Sequence, residues 1–136
     1  KEGDYPYALC GGMAMAVHGF VRATVDLDIL VPEDHVSVIA EALGSIGFIA
    51  TTDPLILNSG KLKITRLTKF YEGTEKFLIL DILSADNSMD NIWSSRQFIS
   101  TEFGGVWVVP KAGLIEMKQK RGSLQDLADI EKLING

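Results

Sequence analysis

One cysteine stands in this chain of 136 residues, and that scarcity already excludes an intramolecular disulfide and agrees with a reducing cytoplasm as the compartment. No apolar run approaches the roughly 18 residues needed to cross a bilayer. Nothing at the start joins a basic region, an apolar stretch and a small-residue cleavage site. The expectation is a soluble protein that is not exported. Basic residues are also outnumbered: 13 Lys and Arg against 18 Asp and Glu give a formal charge of −5. That balance argues against broad, charge-driven binding to nucleic acid, although a local basic groove is compatible with it. Partners expected on this ground are small molecules, proteins or a shaped RNA end.

A hydrophobic fraction of 46% and a charged fraction of 23% are ordinary for a folded globular chain. At this length one compact core is the default. No repeat, linker or charge block divides the chain, so a single domain is expected, with a core over about 5–109 and a helical motif over 110–135. The first residue is Lys1 and strand-like sequence follows at once, which suggests that an upstream segment is removed or missing.

The spacing of apolar residues predicts the elements. Tyr5–Cys10 is a strand that Gly11-Gly12 ends, and Met13–His18 is a short helix stopped by Gly19. Val25–Val31 is a β-branched and leucine-rich strand interrupted by Asp26 and Asp28, and Pro32-Glu33-Asp34 opens a helix. Val36, Ile39, Ala40, Leu43 and Ile46 form the apolar stripe of that helix, with Gly47 as its stop. Phe48–Thr51 suggests a short strand. Leu62–Tyr71 and Phe77–Leu83 flank the turn signal Glu72-Gly73-Thr74 and predict an antiparallel hairpin. Asn87–Phe98 carries mixed helical signals, Gly104–Val109 is a strand, and Ala112–Lys120 and Ser123–Ile134 are helices. The fold class is α+β, an α/β-type mixed sheet flanked by helices.

Three carboxylates stand out. Asp26 and Asp28 leave the same face of their strand, while Val25, Leu27 and Ile29 leave the other. Two like charges so placed repel unless a cation binds or a proton stays on, and a hard divalent ion such as Mg²⁺ takes oxygen ligands of this kind. Taken alone, Asp-x-Asp is equally an exposed strand face with solvated acids. Asp81 differs, because it lies inside the apolar run Phe77–Leu83, where an unpaired charge costs several kcal/mol and calls for a metal or an arginine partner. If the two strands are neighbours, three carboxylates converge for phosphoryl-type chemistry. Gly11-Gly12, alone an ordinary turn, would let a phosphate approach backbone N–H groups at a helix start.

Gly11-Gly12, His18-Gly19, Arg22-x-Thr24-x-Asp26-x-Asp28 and the lone Asp81 together resemble the nucleotidyltransferase superfamily of DNA polymerase β and kanamycin nucleotidyltransferase. Minimal nucleotidyltransferases and the abortive-infection toxins of toxin–antitoxin pairs are the most similar members. Leu114–Lys118 and Asp126–Ile130 resemble the helical motif those members carry after the core, and the likeness spans about 7–133. The resemblance implies a nucleotidyltransferase fold with C-terminal helices and transfer of a nucleoside monophosphate from a nucleoside triphosphate to a hydroxyl acceptor: a protein, an RNA end or a small molecule. It implies Mg²⁺, with Mn²⁺ as an alternative, held by Asp26, Asp28 and Asp81, and Asp81 helping to deprotonate the acceptor. It places the triphosphate at Gly11, Gly12, Arg22 and Thr24, gives Lys118 and Asp126 a role in the site, and suggests an antitoxin protein as partner. Many members carry Gly-Ser where this chain has Gly-Gly, which leaves only backbone amides for phosphate.

The alternative is a catalytically silent member that binds a nucleotide or a partner. A nucleotide-sugar glycosyltransferase also uses Asp-x-Asp, but needs a sizeable nucleotide-binding unit ahead of it, and 25 residues do not supply one. Several residues keep structural readings beside functional ones. Cys10 is a small buried residue ending a strand rather than a nucleophile, and His18 a capping or packed residue rather than a base. Arg22 pairs with an aspartate or reaches a phosphate, and Thr24 favours extended backbone. Lys61, Lys63, Arg66 and Lys69 are a solvated face or face an acceptor. Trp93 and Trp107 pack in the core or at a subunit interface rather than stack a base.

Overall fold

The computed structural model describes residues 5–19, 26–57, 62–85, 89–102, 104–121 and 124–135. Among them are seven strands and five α-helices. In chain order these are β1 (Ala8–Cys10), α1 (Gly11–Val17), β2 (Asp26–Pro32), α2 (Val36–Gly44), β3 (Leu55–Leu57), β4 (Leu62–Phe70) and β5 (Phe77–Ala85). Then follow α3 (Asp90–Ser94), β6 (Gln97–Thr101), β7 (Gly104–Val108), α4 (Lys111–Arg121) and α5 (Leu124–Asn135). No helix among the described residues is long and apolar enough to cross a membrane.

All strands join one mixed sheet in the order β3-β4-β5-β2-β1-β7-β6. The β4–β5 hairpin forms as its turn signal predicts, closing with Phe70 opposite Phe77. β2 and β5 run parallel at the centre and β1 runs antiparallel to β2. Strand alternation then divides the side chains into two cores. On one face Ala8, Cys10, Leu30, Ile64 and Leu83 pack with Ala14 and Met15 of α1, Ile92 of α3, Leu114 of α4 and Leu133 of α5. On the other, Val31, Leu67, Leu80 and Ile82 pack with Ile39 of α2 and with Phe48. Four helices therefore cover one face and a single helix covers the opposite one.

Several expectations need correction. β1 is shorter than Tyr5–Cys10 and begins at Ala8. Glu33–His35 is one turn of 3-10 helix, after which α2 starts at Val36. Ile46 does not continue the apolar stripe: it lies beyond the end of α2 and is exposed. The apolar pattern ran on because the turn after Gly44 keeps helical spacing for two residues before Gly47 reverses the chain at φ 104°. Phe48–Thr51 is not a strand but makes a single bridge, Ile49 to Thr68. The helical signals over 87–98 end at Ser94, and Gln97 and Phe98 already belong to β6, paired with Val108 and Trp107 of β7. β3 was not foreseen: three residues carry too little alternation to announce a strand.

His18 takes the structural role. It caps the C-terminus of α1, and its Nε2 lies 2.9 Å from the Val109 carbonyl oxygen. A carbonyl only accepts, so Nε2 carries the proton. Cys10 is buried at the end of β1, as expected. In the C-terminal pair of helices Lys118 Nζ donates to Asp129 Oδ2 at 3.1 Å, with side chains 4% and 0% exposed. This buried ion pair ties α4 to α5. Lys118→Met removes the ammonium from a buried carboxylate and should cost about 3 kcal/mol. Lys118→Met combined with Asp129→Leu should recover most of that loss, because an apolar pair of similar volume replaces both charges. Urea midpoints at unchanged slope measure both.

Candidate functional site

β2 and β5 are paired in parallel with Asp28 directly opposite Asp81 and Asp26 opposite Ile79. Residues opposite one another on adjacent strands share a face, so Asp28 and Asp81 both issue from the face covered by α1, α3, α4 and α5. One row further along, Leu30, Leu83 and Ile64 belong to the core of that face. Asp28 is half-buried and Asp81 is 6% exposed. The side chain of Asp26 lies outside the described residues, as do Arg22 and Thr24 entirely.

Gly11 sits at the corner between β1 and α1 with φ 64°, in the left-handed region that favours glycine. A Cβ added there would overlap Asp28 Oδ2 and stand 2.9 Å from its Cγ. Two independent reasons, backbone conformation and the close approach of a carboxylate, therefore require glycine at this position. Asp28 reaches the corner because Cys10, the residue before Gly11, is its partner across β1 and β2. α1 holds just seven residues. The glycine pair at its start offers a ligand bare backbone.

Asp81 has the arginine partner that its burial demanded. Arg66 Nε donates to Oδ1 at 2.8 Å and Nη2 to Oδ2 at 2.9 Å, a bidentate fork that is the strongest geometry available to this pair. Arg66 stands opposite Asp81 in the β4–β5 hairpin and its side chain is 40% exposed. The basic stretch Lys63–Lys69 is thereby split by strand alternation: Arg66 turns toward the carboxylates, whereas Lys69 lies over the Phe48 and Tyr71 rings. Trp93 and Trp107 sandwich the guanidinium of Arg96 at 4.0 and 4.5 Å, which gives the tryptophans a packing role.

The donors suit a hard divalent cation: carboxylate oxygens in register on adjacent strands, with a glycine backbone pressed against one of them. Asp28 and Asp81 are the two whose side chains are described, and among the described residues no three acidic, histidine or cysteine side chains gather into a metal-holding group. Lys118 and Asp126 are both buried, and the partner found for Lys118 is Asp129, one turn beyond Asp126 on α5. Sequence reasoning passed over Asp129, although Asp126 and Asp129 sit three apart on one face of α5, a spacing that marks neighbours on a helix. It also left Arg66 among the surface bases, although the hairpin register identifies it.

No protein-family model and no curated protein sequence matches this chain. Solved structures do. A "putative nucleotidyltransferase" from Thermotoga maritima superposes with a TM-score of 0.63 at 14% identity, over 98% of this chain and 84% of that one. The lincomycin-bound lincosamide antibiotic adenylyltransferase LnuA gives 0.58 at 16%, over 93% and 84%. An antigenic nucleotidyltransferase-like protein from Paracoccidioides brasiliensis gives 0.54 at 16%, over 95% and 67%. The sheet order and the placement of the acidic strands, joined to these superpositions, assign the fold: this chain has the nucleotidyltransferase fold.

Proposed function

We propose that this chain is a divalent-metal-dependent nucleotidyltransferase that moves a nucleoside monophosphate from a triphosphate onto a hydroxyl acceptor. The observation that carries the reading is the register of β2 against β5, which sets Asp28 beside Asp81 on one face with Gly11 against Asp28. Likeness in fold to LnuA, an antibiotic adenylyltransferase, makes a small hydroxyl compound one candidate acceptor class. Fold alone does not choose a substrate.

In this reading Asp26, Asp28 and Asp81 hold Mg²⁺ or Mn²⁺, which would neutralise charge building on the phosphoryl oxygens. Gly11 and Gly12 leave their backbone open to the triphosphate. The acceptor oxygen attacks the α-phosphorus in line, a new O–P bond forms, the bond to the bridging oxygen breaks, and pyrophosphate leaves. The proton of the acceptor hydroxyl goes to the Asp81 carboxylate or through it to water. Positioning and charge compensation supply most of the rate gain in chemistry of this kind.

A second reading has one observation in its favour. The fork from Arg66 already satisfies both oxygens of Asp81, so the buried carboxylate is stable without a metal, and a silent protein that binds a nucleotide or a partner could retain it at little cost.

Thermal unfolding with each nucleoside triphosphate and Mg²⁺, followed by an assay of pyrophosphate release, separates the two. A ligand at about 100 times its dissociation constant adds about 2.7 kcal/mol to the folded state. One triphosphate should therefore raise Tm by several degrees, with pyrophosphate released from the same mixture once an acceptor is supplied. Asp28→Asn should keep the fold and lose at least tenfold in Mg²⁺-dependent nucleotide affinity; an unchanged shift would remove Asp28 from the site. Gly11→Ala should behave differently. It forces a left-handed alanine, at about 1–2 kcal/mol, and displaces the Asp28 carboxylate, so Tm and nucleotide binding should fall together.

A further inference from the structure

We infer that Arg66 is a positioning residue that competes with a divalent cation for Asp81 and thereby sets the metal affinity of the site. The inference rests on the metal-dependent reading above and goes beyond it in assigning a residue that the carboxylate motif does not contain.

Asp81 stands between two different flanks. Its neighbour across β5 toward β2 is the carboxylate of Asp28, and its neighbour toward β4 is the guanidinium of Arg66. Adjacent strands are about 4.8 Å apart, so both side chains are within reach of Asp81, one repelling it and one attracting it. In the structure the attraction decides its position: Nε and Nη2 of Arg66 hold one oxygen each. A cation shared by Asp28 and Asp81 pulls on the same carboxylate from the opposite side. It must either take an oxygen from Arg66 or lie within a few ångströms of a fixed positive charge. Both outcomes weaken cation binding relative to a site without the guanidinium.

The burial of the pair is asymmetric in a way that suits exchange. Asp81 is almost fully enclosed, with its side chain 8% exposed, whereas the Arg66 side chain is 40% exposed. Asp81 therefore needs a positive partner at all times, since a carboxylate left alone there is costly. Arg66 depends on the pair less than Asp81 does, because a guanidinium at that exposure is partly solvated. When a cation arrives, the carboxylate exchanges one positive partner for another and the fork from Arg66 is loosened. Without a cation, Arg66 holds both oxygens of the carboxylate on the β4 side, away from Asp28. This separates Arg66 from Lys63 and Lys69, which the same stretch of β4 carries without any hydrogen bond to a carboxylate of the site.

The test uses the full chain and Mn²⁺ alone, without nucleotide, following free Mn²⁺ by electron paramagnetic resonance and Tm by thermal unfolding. Arg66→Gln should lower the metal-free Tm and bind Mn²⁺ about tenfold more tightly, as expected when one positive charge is removed from beside the site, so its Mn²⁺-induced rise in Tm exceeds that of the wild type. Arg66→Lys keeps a charge but not the fork, and it should bring the metal-free Tm part of the way back with an Mn²⁺ affinity about threefold tighter than wild type. If Arg66→Gln does not fold, the lysine variant decides by itself. Equal Mn²⁺ affinity in wild type and variants overturns the role of Arg66 and leaves the metal-dependent reading standing. Binding in Arg66→Gln with none in the wild type supports competition in its strongest form. No binding in any of the proteins overturns both readings.

Discussion

A carboxylate enclosed in the middle of an apolar strand constrains everything around it. Asp81 is flanked along β5 by Leu80 and Ile82, both buried in the opposite core, and it cannot turn away from the sheet without exposing them. Its charge has to be met on its own face, within the width of a strand. The antiparallel register of the hairpin supplies a guanidinium on one side, and the parallel register of the central pair brings a second carboxylate on the other. The local chemistry of the site follows from these two registers rather than from any loop. That is also why the site tolerates a short α1: the helix contributes a bare glycine corner, and the charges come from the sheet.

Two cores of unequal size follow from the same sheet. Helices α1, α3, α4 and α5 crowd the face that bears the carboxylates, and there Asp81 is as buried as Leu83 whereas Asp28 is half-buried. The buried pair Lys118–Asp129 holds the last two helices together on that face, and the hydrogen bond from His18 to Val109 fastens the end of α1 to the strand that leads into α4. These polar ties are costly to bury and weak as sources of net stability. Their effect is to fix how the helical layer sits.

Much of this was legible in the sequence because alternation and turn chemistry are local. Asp26 and Asp28 two apart, a lone Asp81 in an apolar run, and Gly73 between two β-rich stretches each declare a side of a strand or a reversal. Arg66 shows where local reading stops. The turn was placed correctly, and stepping back four residues on each strand from the closing pair Phe70 and Phe77 lands Arg66 on Asp81. That step needs the register to within one residue, and a slip of one would have turned Arg66 to the other face. β3, β6 and the fate of Ile46 were hidden for a different reason. Edge strands of three to five residues carry little periodicity, and helical spacing in a turn is indistinguishable from helical spacing in a helix.

The low identity of the superposed structures, 14% and 16% for the first two, is intelligible on the same grounds. Most positions in this fold ask only for an apolar residue of suitable size on a given face, and many sequences meet that demand. Few positions are restrictive. Gly11 is one, since both its φ and the nearby Asp28 carboxylate exclude a side chain. Asp81 is another, but in a conditional way: a carboxylate there is tolerable with a guanidinium opposite or with a cation beside it, and costly with neither. A chain that kept Asp81 while replacing Arg66 by a neutral residue would be less stable without a cation, and one that kept Arg66 while losing Asp81 would lose the fork between β4 and β5. The two residues are thus tied by a bidentate fork across the hairpin, so that a substitution at either one changes what the other requires.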